Sequence, residues 1–277
     1  MLTVLFASLS SFIGEISSSI IKFETDRGKE SVYTAGFINM LFGLAAFILL
    51  ASFSGRFIFS AASLFTFVPK AILEIVQAQV SMLALMKSDR STFAFLRNLT
   101  IPLLLAADLI FGFSVSAYQW AGIGMILAIF LIIIWFHVLN FRGAVYPIFT
   151  AVNAVATISL FKYNITHFNS VEGEQIATIL ILMVYFFLAA KIFSRENPFL
   201  FLKNKIFLGQ GIFHGAASIL GSFAISFGNP GIAMAAERAS AVLAGIISGH
   251  NYFQEKKFGA KLLVSLGLVV GLTLLTR

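Results

Sequence analysis

The stretch VYTAGFINMLFGLAAFILLASF, residues 32–53, runs without a single charged side chain and spreads Phe, Leu, Ile and Ala around its whole circumference. A helix that is apolar on every side has no face for water, so it belongs in a large core or in lipid. Its length suits lipid, since a helix needs about 20 residues to cross the hydrocarbon. Working outward, comparable runs recur at 2–21, 64–86, 92–112, 118–139, 143–161, 175–193, 206–227, 231–249 and 258–275, which predicts ten spanning helices in all. Of 277 residues, 59% are hydrophobic and 11% charged, against about 25% charged in an ordinary soluble domain. So little charge cannot coat a soluble protein of this size, whereas lipid removes the need for a coat. The fold class expected is an all-α integral membrane protein.

The net charge of +7 does not point to nucleic acid, because the basic residues lie between apolar runs instead of forming a patch. They read as topology signals. Numbering the connections in order, the odd ones hold thirteen Lys and Arg, while the even ones and the termini hold Arg56, Lys70, Lys162 and Arg277. That asymmetry predicts odd connections in the cytoplasm and both ends outside. With no Cys, there is neither a disulfide scaffold nor a thiolate metal site. Residues 1–21 lack a basic leading segment and a small-residue cleavage site, so they are expected to stay as the first helix. The connections are too short for a separate extramembrane domain.

The two halves echo each other. Ser19-Ile20-Ile21-Lys22-Phe23 is matched by Ser159-Leu160-Phe161-Lys162-Tyr163, and the spacing of Gly112 to Gly122 is repeated by Gly249 to Gly259. This predicts a duplication, residues 1–139 and 140–277, each half with five helices. An odd number of crossings inserts the second copy upside down, the construction of many secondary transporters.

A charged side chain inside hydrocarbon costs about 2.5–3.5 kcal/mol or more, so such residues face a bundle interior or a wet cavity. Helical spacing sets Glu15, Ser18, Ser19 and Lys22 on one face, and Lys70, Glu74, Gln77 and Ser81 on another. In the repeat partner of that second helix, Gln210, His214, Ser218 and Ser222 share the same period. Arg97 and Asp108 lie three turns apart in the fourth run, and Glu237 and Arg238 sit in the ninth. Glu15, Glu74, Gln77, Arg97, His214, Ser218, Glu237 and Arg238 are therefore the candidates for a substrate cavity. Alternatives stand beside four of them: Glu15 pairing with Lys22, Glu74 in a structural ion pair, His214 in a neutral interhelical hydrogen bond and Arg97 snorkelling to the interface; Asp108 is read as lying near a membrane face. Arginines in the cavity would favour a carboxylate or phosphate, whereas dominant carboxylates would favour a cation.

Gly112 followed by Gln119-Trp120-Ala121-Gly122, and Gly249 followed by Gly259, resemble the junctions of the drug/metabolite transporter superfamily, in its EamA-like ten-helix branch. The second half departs from the pattern, with Lys256 and Lys257 in place of the Gln-Trp pair; Phe113 and His250 stand where a glutamate is usual. The resemblance implies a secondary transporter in a prokaryotic inner membrane, exporting or exchanging a small metabolite, amino acid or drug. It also implies a central cavity between helices one, three, four, six, eight and nine, and cytoplasmic termini, the opposite of what the charge asymmetry predicts.

No HExxH, paired-aspartate metal motif, phosphate-cradling glycine loop or nucleophile elbow occurs, so no catalytic residue, metal or cofactor is expected. A membrane enzyme on a lipid-linked substrate, and a passive channel or scaffold, are the competing classes. The expected partners are a small-molecule substrate and the bilayer, with no nucleic acid. Glu15, Glu74 and His214 leave proton coupling open, and faces rich in small residues fit a monomer or a homodimer equally.

Overall fold

The structure is a computed structural model that describes residues 2–110, 116–135, 141–228 and 230–275. Among these residues all regular structure is helical, in the order α1 (Leu2–Asp26), α2 (Val32–Ser54), α3 (Leu64–Lys87), α4 (Arg90–Arg97), α5 (Thr100–Ile110), α6 (Ala117–Trp135), α7 (Val145–His167), α8 (Val171–Ala189), α9 (Pro198–Phe201), α10 (Lys205–Phe227), α11 (Pro230–Phe253) and α12 (Phe258–Leu275). Six segments are long and apolar enough to cross a membrane: α1, α2, α3 with the 3-10 turn before it, α7, α8 with the π turn after it, and α10. The chain is thus an all-α protein with six such helices among the described residues, where ten crossings are expected from sequence. The remaining four runs correspond to α4 with α5, α6, α11 and α12. Residues 136–140, where the expected boundary between the halves falls, and Gly112 lie outside the described residues.

Polar residues placed just before the apolar runs explain where helices begin. Ser31, Ser170 and Asn204 each accept a hydrogen bond from a backbone N–H of the first turn, of Thr34, Gly173 and Ile206 respectively, supplying an acceptor to donors that have no partner within the helix. Gly55 closes α2 in the left-handed conformation, φ 64°.

The fourth run is not one helix. It breaks at Asn98, whose side-chain amide donates to the carbonyls of Ala94 and Phe95, both at 3.0 Å, drawing them away from the helical ladder. Pro102 adds to the break, because it has no N–H to return to the Asn98 carbonyl. The consequence is that Arg97 ends α4 in the interior of the bundle.

Packing interleaves the chain. The helix α10 lies between α1 and α2, α2 also packs on α8, α1 on α11, α3 on α7, α6 on α12, and α4 on α11. Close approach of α10 to α2 depends on Gly211, where a β-carbon would fall 2.3 Å from the Phe42 ring. One apolar core joins Phe95, Val242, Ile246 and Leu268; another joins Phe37, Ile38, Phe186 and Phe207. Outside, Phe53, Phe65 and Trp135 are more than four-fifths exposed, an outer surface suited to lipid and not to water.

Connections of like parity meet at the same end. On the odd side, Lys22 donates to the Ser88 carbonyl, the Arg90 N–H to Glu255, and Ser31 to Glu196. On the even side, the Ser170 N–H donates to the Ile58 carbonyl and the Ser60 N–H to Asn169. Among the described residues, these contacts thus gather connections into an odd group and an even group.

Candidate functional site

Where α1, α2, α3, α4, α8, α10 and α11 converge they line a partly open cavity of about 420 Å³ that mixes apolar with polar and charged side chains, a size within the roughly 300–1,000 Å³ of small-molecule sites. Seven of the eight candidates line it: Glu15, Glu74, Arg97, His214, Ser218, Glu237 and Arg238. Gln77 does not. It turns to α7, donating to the Thr150 carbonyl at 3.1 Å and accepting from Asn153 at 2.8 Å, so its amide serves helix packing. Gln210 likewise leaves its stripe for α2, donating to the Ala35 carbonyl and to Asn39. The side chain of Asp108 is outside the described ones.

The side of the cavity toward the odd connections is built on arginine. Arg90 grips Glu15 with two parallel hydrogen bonds, Nε to Oε1 at 3.1 Å and Nη2 to Oε2 at 2.5 Å. Ser248 and Ser19 also donate to Glu15, at 2.5 and 3.2 Å. The expected partner of Glu15, Lys22, bonds the Ser88 carbonyl instead. Sequence spacing could not find Arg90, because it opens its helix beside a connection, where a basic residue reads as a topology signal.

Arg90 is fixed from behind. Glu255, from the connection between α11 and α12, accepts from the Arg90 N–H at 2.6 Å, from Ser91 at 2.5 Å and from Lys261 at 2.8 Å. A carboxylate at a helix start is favoured by the helix dipole. Burial pushes the Glu255 carboxyl up, but the hydrogen bonds from Lys261 and Ser91, the Lys261 charge and the Arg90 N–H outweigh it and hold the group below its usual range.

Deeper in, Arg238 pairs with its neighbour Glu237 at 3.1 Å, although adjacent positions diverge by about 100° on a helix; long side chains close the gap. Arg97 stacks over the Phe93 ring, 5.1 Å from its centre, and points into the cavity instead of reaching an interface. Among the described residues no carboxylate lies within salt-bridge distance of Arg97, and neither Glu74 nor His214 has a hydrogen-bond partner. Lys70, from the Glu74 stripe, is buried and bonds Glu174 at 3.0 Å and Thr178 at 2.8 Å. The structural ion pair on α3 therefore belongs to Lys70, and Glu74 faces the cavity.

The lining differs from that implied by the family resemblance in three helices. The second and seventh runs contribute Asn39 and Gln175, and the sixth contributes nothing among the described residues. Its polar groups are spent on packing: Asn153 on α3, Asn164 on Glu174. No group of His, Asp or Glu able to hold a metal ion occurs among the described residues. The arrangement can bind and orient a small polar molecule through guanidinium, carboxylate, imidazole and hydroxyl groups. No family model and no curated protein sequence matches the chain.

Proposed function

We propose that the protein is a secondary transporter that carries a small polar metabolite across a membrane by alternating access through the central cavity. The observation that carries this reading is the cavity itself. Charged side chains are gathered in the middle of a bundle whose outside is apolar, where such residues pair inside the bundle or line a wet cavity; Glu74, Arg97 and His214 face the cavity without an ion pair or hydrogen bond among the described residues. The packing supports the ten-helix, inverted-repeat architecture. Exchanging each run with the one five places along turns the contact of α1 with α10 into that of α7 with α3, and the contact of α1 with α11 into that of α7 with α4; the contacts of α2 with α8 and of α6 with α12 map onto themselves. That reciprocity, though not shared by the contact of α11 with α12, is what a two-fold axis relating the halves produces, and an odd number of crossings in each half would put that axis in the membrane plane.

In this mechanism the Glu15–Arg90–Ser248 cluster ties α1, α4 and α11 on the odd side and is the closure that must open. Rocking of one half against the other then exposes the cavity to each face in turn. The drug/metabolite transporter resemblance and a prokaryotic inner membrane fit the same reading. The test uses the absence of native Cys: Ser218→Cys puts one thiol in the cavity, and a membrane-impermeant maleimide applied from each side reports whether both faces reach it. Labelling from both sides is expected; access from one side alone would refute alternation.

A further inference from the structure

The charges in the cavity do not balance locally. Its arginine side holds three guanidiniums, Arg90, Arg97 and Arg238, against two carboxylates, and both carboxylates are engaged: Glu15 by Arg90 and Glu237 by Arg238. Arg97, at the end of α4, makes no ion pair among the described residues, and Glu74 stands on α3 one turn from Lys70, whose own partner is Glu174. In addition, Arg90 Nη1 and Arg238 Nε are buried without a hydrogen-bond partner among the described residues. Water could meet those donors, but it would leave the excess of guanidinium over carboxylate at this end of the cavity uncompensated, and buried charge is costly unless paired.

We infer that Arg97 is the centre of an oxyanion subsite, and that the transported molecule is a small organic anion whose carboxylate or phosphate docks there, with the free N–H groups of Arg90 and Arg238 beside it. This rests on the cavity being the transport site. The geometry suits an oxyanion. Phe93 supports the face of the Arg97 guanidinium, and a guanidinium supported on its face keeps its edge donors free for two parallel bonds to such a group. The cavity volume admits a metabolite and excludes a polymer.

The purified protein would be titrated with benzoate, glutamate, inorganic phosphate and glucose 6-phosphate, and with putrescine and glucose, following the thermal unfolding midpoint. At least one anion is expected to stabilise the protein saturably while putrescine and glucose do not; the carboxylate and phosphate members distinguish the two sources of the oxyanion. Arg97→Gln should weaken that binding by about tenfold to a hundredfold, the worth of a charge-assisted hydrogen bond, and Arg97→Lys should restore part of it. Should Arg97→Gln fail to fold, the wild-type panel and Arg97→Lys decide the matter. No saturable binding of any anion, or anion binding indifferent to Arg97→Gln, overturns the subsite. Binding of putrescine or glucose alone would overturn it while leaving transport intact, and one-sided labelling of Ser218→Cys would instead overturn transport.

Discussion

Removing the carboxylate of Glu15 should cost more than a membrane hydrogen bond ordinarily does. In Glu15→Gln the amide oxygen still accepts from Arg90 Nε and Ser248, but the amide nitrogen then faces Arg90 Nη2, donor against donor. One charge-assisted bond is lost, worth about 1.5–3 kcal/mol, and the Arg90 side chain, 2% exposed, keeps a charge without a counter-ion. Breaking a fully buried pair costs about 3–5 kcal/mol; Glu15 is 15% exposed, which lowers the expected loss to about 2–3 kcal/mol. Interhelical hydrogen bonds measured in a membrane protein average about 0.6 kcal/mol, so the two cases separate cleanly. The assay is a double-mutant cycle of Glu15→Gln and Arg90→Gln, read by reversible unfolding in mixed micelles. A coupling near 2 kcal/mol is expected. Effects that add to within about 0.5 kcal/mol, the behaviour of independent sites, would refute the idea that Glu15 neutralises Arg90.

Groups outside the cavity give two further expected outcomes. Burial pushes the Glu30 carboxyl, in the connection between α1 and α2, up to about 9, with the charges of Glu24 and Glu196 adding to the shift. A raised carboxyl gives stability that is full below its ordinary 4.5 and lost as pH rises toward 9. The loss reaches on the order of 3 kcal/mol by pH 7, at about 1.36 kcal/mol per unit, and Glu30→Gln should abolish it; unfolding profiles of variant and wild type that stay parallel from pH 5 to pH 8 would contradict this. At the even end, a β-carbon on Gly173 would lie 2.2 Å from the Ile58 carbonyl oxygen, where backbone meets backbone and neither side chain can yield. Gly173→Ala should therefore lower stability by about 1–3 kcal/mol, and an unchanged midpoint in thermal unfolding would show that the 55–60 segment does not pack there.

The apolar runs were plain in the sequence because a bilayer demands a continuous length of hydrophobic residues, and the helix ends fall close to those runs. Seven of the residues singled out by period and charge line the cavity. Glu74, His214 and Ser218 could be assigned an inward face because a polar side chain in hydrocarbon has few places to go. The same logic overreached at Gln77, whose inward face meets α7 rather than open space; one helix's period cannot tell a cavity from a polar partner. It was also blind to Arg90 and Asn39, the first masked by its place beside a connection and the second by its isolation in an apolar helix. The break at Asn98 depended on a side chain capturing backbone carbonyls, which no hydropathy window registers. Partner choice was the least legible layer: Glu15 selects Arg90 over Lys22 because α4 packs against α11, a long-range fact.

Alternating access is the claim on which the rest depends, and Ser218→Cys measures it directly. In right-side-out and inverted vesicles, an impermeant maleimide should modify this single thiol from both faces, and a saturating concentration of whichever panel anion stabilises the purified protein should change the two rates in opposite directions. Labelling confined to one face, with a rate that no solute alters, would contradict the account.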